Sequence, residues 1–161
     1  SGGMARRVLV STALITDSEL IIADEPTPGM SLNQALEVLK MFREMANEGK
    51  SVILITHDID LAFEFADRVA VFYAGTTVET APASDFKKGP DVLRHPYSKA
   101  LWRALPQNGF HSIEDFQPYA GNLPKGCLFA PRCPYKTSKC EEGIPPVTEV
   151  RGGEVRCYHV T

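Results

Sequence analysis

Two apolar runs with a helix-spaced segment between them constrain this chain most. Leu20-Ile21-Ile22-Ala23 and Val52-Ile53-Leu54-Ile55-Thr56 are both strand-like. Between them Leu32, Ala35, Leu36, Leu39, Phe42 and Ala46 recur at helical intervals. Strand, helix and strand in that order predict a right-handed crossover with the two strands parallel. Neither run alternates with polar residues, which is the pattern of a strand covered on both faces. Pro26 ends the first run because it has no N–H to give to a ladder. Asp24 and Glu25 then stand at the carboxyl end of one strand and His57 at the carboxyl end of the other. Open α/β sheets place their ligands at that edge. Two carboxylates there suit a magnesium ion and an activated water.

The rest of the chain reads less regularly. A helix is expected over about 4–16, the crossover helix over about 31–48 with Gly49 closing it, and a short helix from an Asp58 cap to Ala66. Arg68–Tyr73 reads as a third strand that Ala74-Gly75 turns into a short antiparallel partner over 76–79. His95-Pro96 opens a further helix with Ala100, Leu101, Ala104 and Leu105 on one face. From Pro106 onward loops are expected. Prolines crowd in after residue 81, so a boundary is placed near 80. Gly49-Lys50-Ser51 imitates the end of a P-loop, but position 44, where the loop needs glycine, is Glu44, and the strand follows rather than precedes it. The net charge of −3, with no long basic run, argues against a nucleic-acid surface. No run is long enough to span a bilayer and no leader opens the chain, so a soluble cytosolic protein is expected.

All four cysteines, Cys127, Cys133, Cys140 and Cys157, lie in the tail, with five, six and sixteen residues between them. No close Cys-x₂₋₄-Cys pair of the kind usual in zinc sites is present, and disulfides are disfavoured in the cytosol. Four thiolates in a proline-rich loop suit a [4Fe–4S] cluster; zinc and free or oxidised thiols remain open. A metal would also stabilise a segment, 106–161, that has few regularly spaced apolar residues. His95, His111 and His159 read as ordinary surface or loop residues.

Three motifs in order then carry a resemblance. Ser1-Gly2-Gly3-Met4 with Arg7, Asp24-Glu25-Pro26-Thr27, and Ile55-Thr56-His57-Asp58 resemble the C-terminal half of an ABC-transporter ATPase subunit. Ala66-Asp67-Arg68-Val69-Ala70-Val71-Phe72-Tyr73-Ala74-Gly75, His95-Pro96-Tyr97-Ser98-Lys99-Ala100-Leu101 and Gly126-Cys127-Leu128-Phe129-Ala130-Pro131-Arg132-Cys133-Pro134 narrow it to the oligopeptide, dipeptide and nickel importer subgroup. The resemblance implies an α/β fold. Residues 1–80 would be the parallel-sheet half of an ABC-type P-loop ATPase domain, without its P-loop half. Residues 81–161 would be a Pro- and Cys-rich irregular extension.

By the same resemblance, Ser1, Gly2 and Gly3 form the signature motif that meets the γ-phosphate held by an opposite subunit. A helix start suits that role because its free N–H groups face anions. Asp24 holds Mg²⁺ through water, Glu25 polarises the attacking water, and His57 is the switch histidine beside the γ-phosphate. Cys127, Cys133, Cys140 and Cys157 hold a [4Fe–4S] cluster, with Zn²⁺ as the alternative. The implied partners are a second ATPase subunit in a head-to-tail dimer and transmembrane permease subunits, without nucleic acid. The implied location is the inner face of the cell membrane. Two departures stand out. Ser31 occupies the place of an aspartate that signals across the dimer. The P-loop, the adenine-stacking aromatic and the loop glutamine are not in this sequence, so the chain reads as a fragment without ATPase activity of its own. Ser1-Gly2-Gly3 also reads as a tag remnant before a start methionine. The rivals are a non-catalytic metal-binding module and an ABC-type ATPase of DNA maintenance, the latter without coiled-coil heptads to support it.

Overall fold

The computed structural model describes residues 8, 11, 12 and 17–160. The chain divides into two compact units, Ser1–Ala66 and Asp67–Thr161. Of the helix expected over 4–16, Val8, Ser11 and Thr12 are helical and the remainder lies outside the described residues.

In the first unit β1 (Leu20–Asp24) and β2 (Ser51–Ile55) pair in parallel, from Leu20 opposite Ser51 to Asp24 opposite Ile55. The crossover is α1 (Leu32–Asn47), and α2 (Ile59–Phe65) follows β2. Ser31 starts α1 with a capping box. Its Oγ accepts the Gln34 N–H at 3.4 Å while Gln34 Oε1 accepts the Ser31 N–H at 3.1 Å. Gly49, at φ 98°, takes the left-handed turn that ends the helix. Val38, Leu39 and Phe42 of α1 bury themselves against Ile21 and Ala23 of β1, and Leu61 and Phe65 of α2 close the cluster. Full burial of one such side chain contributes about 1.5–3 kcal/mol.

The strands are less enclosed than their composition implies. Ile21 and Ala23 are buried, but Leu20 and Ile22 are exposed, and so are Ile53 and Ile55 of β2. The described residues of this unit pack helices on one face of the pair only, so the uninterrupted apolar runs have one covered face here, not two.

In the second unit β3 (Arg68–Tyr73), β4 (Thr76–Pro82), β5 (Thr148–Val150) and β6 (Gly153–Val155) form an antiparallel sheet in the order β3-β4-β6-β5. Ala74 and Gly75, at φ 48° and 84°, make the left-handed turn that a two-residue hairpin demands. Three helices join the sheet: α3 (Ala83–Lys88), α4 (Pro96–Arg103) and α5 (Lys139–Glu142). Phe86, Leu93, Leu128 and Phe129 are buried, and so are the strand residues Val71, Val78, Ala81 and Val155. The tail is therefore not all loop. It returns two strands to the sheet, with Glu79 opposite Val155. That pairing explains why the chain divides after Ala66 while composition changes near 80: the compositional boundary falls inside β4.

A buried polar network holds this unit. Glu79 Oε1 accepts the Arg94 N–H at 2.9 Å and its Oε2 accepts the His95 N–H at 2.7 Å. The Arg94 side chain is fully buried and donates to Glu79, to Asp85 Oδ2 at 2.9 Å, and to the Val150 and Arg151 carbonyls. Burial pushes the Asp85 carboxyl up, but hydrogen bonds from Arg94 and Lys88 outweigh it and hold it below its usual range. His95 is not a surface residue: it is 1% exposed and its Nδ1 caps α4 by accepting the Tyr97 N–H at 3.0 Å. Burial lowers it to about 4.

Candidate functional site

β1 and β2 end side by side, and the first residue past β1 is placed by backbone as well as by side chain. Glu25 extends the ladder by donating its N–H to Ile55 O at 2.9 Å. It then takes φ 44°, a left-handed conformation that costs a non-glycine residue about 1–2 kcal/mol. The turn is matched by bonds across to β2. Glu25 Oε1 accepts the His57 backbone N–H at 3.1 Å and lies 2.8 Å from His57 Nδ1. An ionised carboxylate only accepts, so Nδ1 carries the proton and the exposed imidazole keeps Nε2 for a ligand. The hydrogen bond that His57 donates to Glu25, then the charge of Glu25, and to a lesser degree that of Asp58, raise His57 above its ordinary value. Asp58 accepts the Leu61 N–H at 3.2 Å and starts α2, which fixes where the strand ends and the histidine stands.

Asp24 is the last residue of β1, exposed, and next to Glu25. Asp24, Glu25 and His57 thus share one edge of one parallel pair, where the strand order places them. Ser1, Gly2 and Gly3 lie outside the described residues. Ser31, read in the sequence as a departure, is the N-cap of α1.

The four cysteines form a second cluster, within the second unit. Burial raises the Cys127, Cys133 and Cys157 thiols. Each of these three also feels Cys140; Cys133 feels Cys127 and Cys157 as well, and Cys157 feels Cys127. All four sulfurs therefore stand within electrostatic reach of one another. Backbone N–H groups oppose the upward shift, those of Phe129 and Ala130 at Cys127, of Tyr135 at Cys133 and of His159 at Cys157. Among the described residues, no three His, Cys, Asp or Glu side chains stand close enough to hold a single metal ion.

Two residues in this cluster escape a sequence reading. A Cβ on Gly126 would overlap the Cys140 carbonyl oxygen, so only glycine lets the Cys127 N–H reach that oxygen at 2.7 Å. His159, expected to be an ordinary loop residue, lies with Nε2 3.4 Å from Cys140 Sγ. Neither has a local sequence signal, because each contact joins segments remote in the chain.

Residues 78–140 match the family described as oligopeptide/dipeptide transporter, C-terminal region. The chain is 37% identical, over 98% of its length, to the dipeptide transport ATP-binding protein DppD of Haemophilus influenzae. It is 38% identical over 98% to the oligopeptide transport ATP-binding protein AppD of Bacillus subtilis, and 36% over 99% to DppD of Escherichia coli. It spans about half of each of these relatives: 49%, 49% and 50% of their respective lengths. Over the stretch it shares with them, the chain belongs to the family of oligopeptide and dipeptide transport ATP-binding proteins.

Proposed function

We propose that this chain is the catalytic-edge part of an ATP-hydrolysing subunit that drives a peptide importer. The observation that carries the reading is the Glu25–His57 hydrogen bond, 2.8 Å long, at the carboxyl edge of a parallel strand pair. Glu25, aligned by its bonds to His57, orients and polarises the attacking water. His57 stands beside it with Nε2 for the γ-phosphate, and a cationic imidazole stabilises charge developing there. Asp24 offers an exposed carboxylate, a hard oxygen donor that fits Mg²⁺. It would hold the ion through water, and the ion supplies charge neutralisation to the phosphates. Ser1, Gly2 and Gly3 would meet the γ-phosphate of an opposite subunit.

The partners follow from that arrangement: a second ATPase subunit, head to tail, and permease subunits. As a partner of permease subunits the chain would act peripherally, on the cytoplasmic face; among the described residues no helix is long and apolar enough to cross a membrane. The exposed face bearing Leu20, Ile22, Ile53 and Ile55 is where the rest of the subunit would cover the sheet, as parallel sheets are covered elsewhere. Peptides, which the relatives' names give as their cargo, are the favoured solute over nickel.

The four thiols would hold a [4Fe–4S] cluster with a structural role. In donor type and number they fit. A tetrahedral zinc with Zn–S near 2.3 Å needs sulfurs about 3.8 Å apart. A cluster of four irons takes one thiolate per iron, and the four cysteines supply that number.

The test of the main reading is ATP turnover with magnesium by this 161-residue chain and by a full-length subunit containing it. The expected result is none for the chain and turnover for the subunit. Turnover by the chain alone, or none by a folded full-length subunit with its partners, contradicts it.

A further inference from the structure

His159 makes two bonds to two different cysteines. Its backbone N–H donates to Cys157 Sγ at 3.4 Å, and its Nε2 lies 3.4 Å from Cys140 Sγ. Thr137 Oγ1 completes a small network, 3.6 Å from Cys140 Sγ and 3.4 Å from His159 Nε2. Cys140 is buried, on the short α5, whereas Cys157 follows β6. One residue near the end of the chain therefore fixes the relative position of two sulfurs that sixteen residues separate. A thiolate only accepts hydrogen bonds, so Nε2 must carry the imidazole proton when it faces one.

We propose that His159 is a positioning residue of the four-cysteine centre, donating through backbone and ring to Cys157 and Cys140 and so favouring the reduced state of a cluster held there. The proposal rests on the cluster reading above. Its chemistry is electrostatic. One electron, taken from an external reductant such as dithionite, adds negative charge to the iron and its thiolate ligands, with no bond made or broken in the protein. N–H groups aimed at the sulfurs stabilise that added charge more than they stabilise the oxidised form, and such donors are among the determinants of cluster potential. Because the His159 side chain is exposed, its replacement removes the ring donor to Cys140 while leaving the backbone donor to Cys157 and the buried core of the unit in place.

The test uses the 161-residue chain, reconstituted anaerobically with iron and sulfide, as wild type, His159→Ala and His159→Gln. Iron and sulfide per chain are counted, and the midpoint potential is read by dithionite titration under EPR. Equal iron in all three is expected. His159→Ala should weaken reduction about tenfold, a potential about 59 mV lower for one electron. His159→Gln, which keeps an N–H donor, should lie closer to wild type. Equal potentials for wild type and His159→Ala at equal iron would overturn the donor role and leave the cluster reading standing. So would a His159→Gln shift as large as that of alanine, or loss of iron in His159→Ala, which would make the imidazole a ligand. A wild-type chain that takes up zinc but no iron, or neither, overturns both.

Discussion

Two histidines in this chain are driven to opposite protonation behaviour by their surroundings. His57 is exposed and bonded to a carboxylate, so it holds its proton more tightly than a free imidazole. His95 is buried beneath Phe129, with ring centroids 5.8 Å apart, and is held neutral, lowered to about 4. The second case has a thermodynamic consequence. Between pH 6.5 and about 4 the unfolded chain takes a proton at residue 95 that the folded chain refuses. Stability then falls as pH drops through that window and levels off below it. The full difference is about 3 kcal/mol, from 1.36 kcal/mol per unit. Urea unfolding at pH 7 and pH 4 should show a smaller acid loss in His95→Asn, which keeps a side-chain acceptor at the helix start, than in wild type. An equal loss in both would remove His95 from the explanation. Nothing local marks His95 as buried: Pro96 after it signals a helix start, but the Phe129 and Glu79 contacts come from elsewhere in the chain.

Among the elements, β1, α1 and β2 were legible because their periods are long and uninterrupted and because a parallel crossover leaves no choice of strand direction. Glu25 and His57 inherit their proximity from that rule. β5 and β6, three residues each, carry too little pattern to be read, and only the pairing of β6 with β4 and of β5 with β6 makes strands of them. What α1 adds is its first turn. Ser31 reads as a departure when compared with an aspartate, yet both residues accept the N–H groups of a helix start. Ser31→Ala should cost about 1 kcal/mol, whereas Ser31→Asp should leave stability within a few tenths. Chemical denaturation of the three forms decides it. An alanine variant as stable as wild type would show that the capping box seen here contributes nothing.

At the scale of the whole molecule, one chain carries two units with separate cores and separate chemistry. The first presents carboxylates and an imidazole at a strand edge, and the second carries four thiols in electrostatic reach of one another and, as a separate feature, a buried Glu79–Arg94 pair. The similarity to peptide-transport ATP-binding proteins runs through both. The strand edge was legible from order and spacing. How far its strands are covered was not, because exposure depends on what packs on the second face and the apolar run is the same either way. The proposed function hinges on Glu25, and the most direct measurement is ATP binding and steady-state turnover in a full-length subunit carrying Glu25→Gln. Binding should persist while turnover falls about 10²–10⁴-fold, as expected when a general base is removed. Undiminished turnover by the glutamine variant would contradict the role given to this edge.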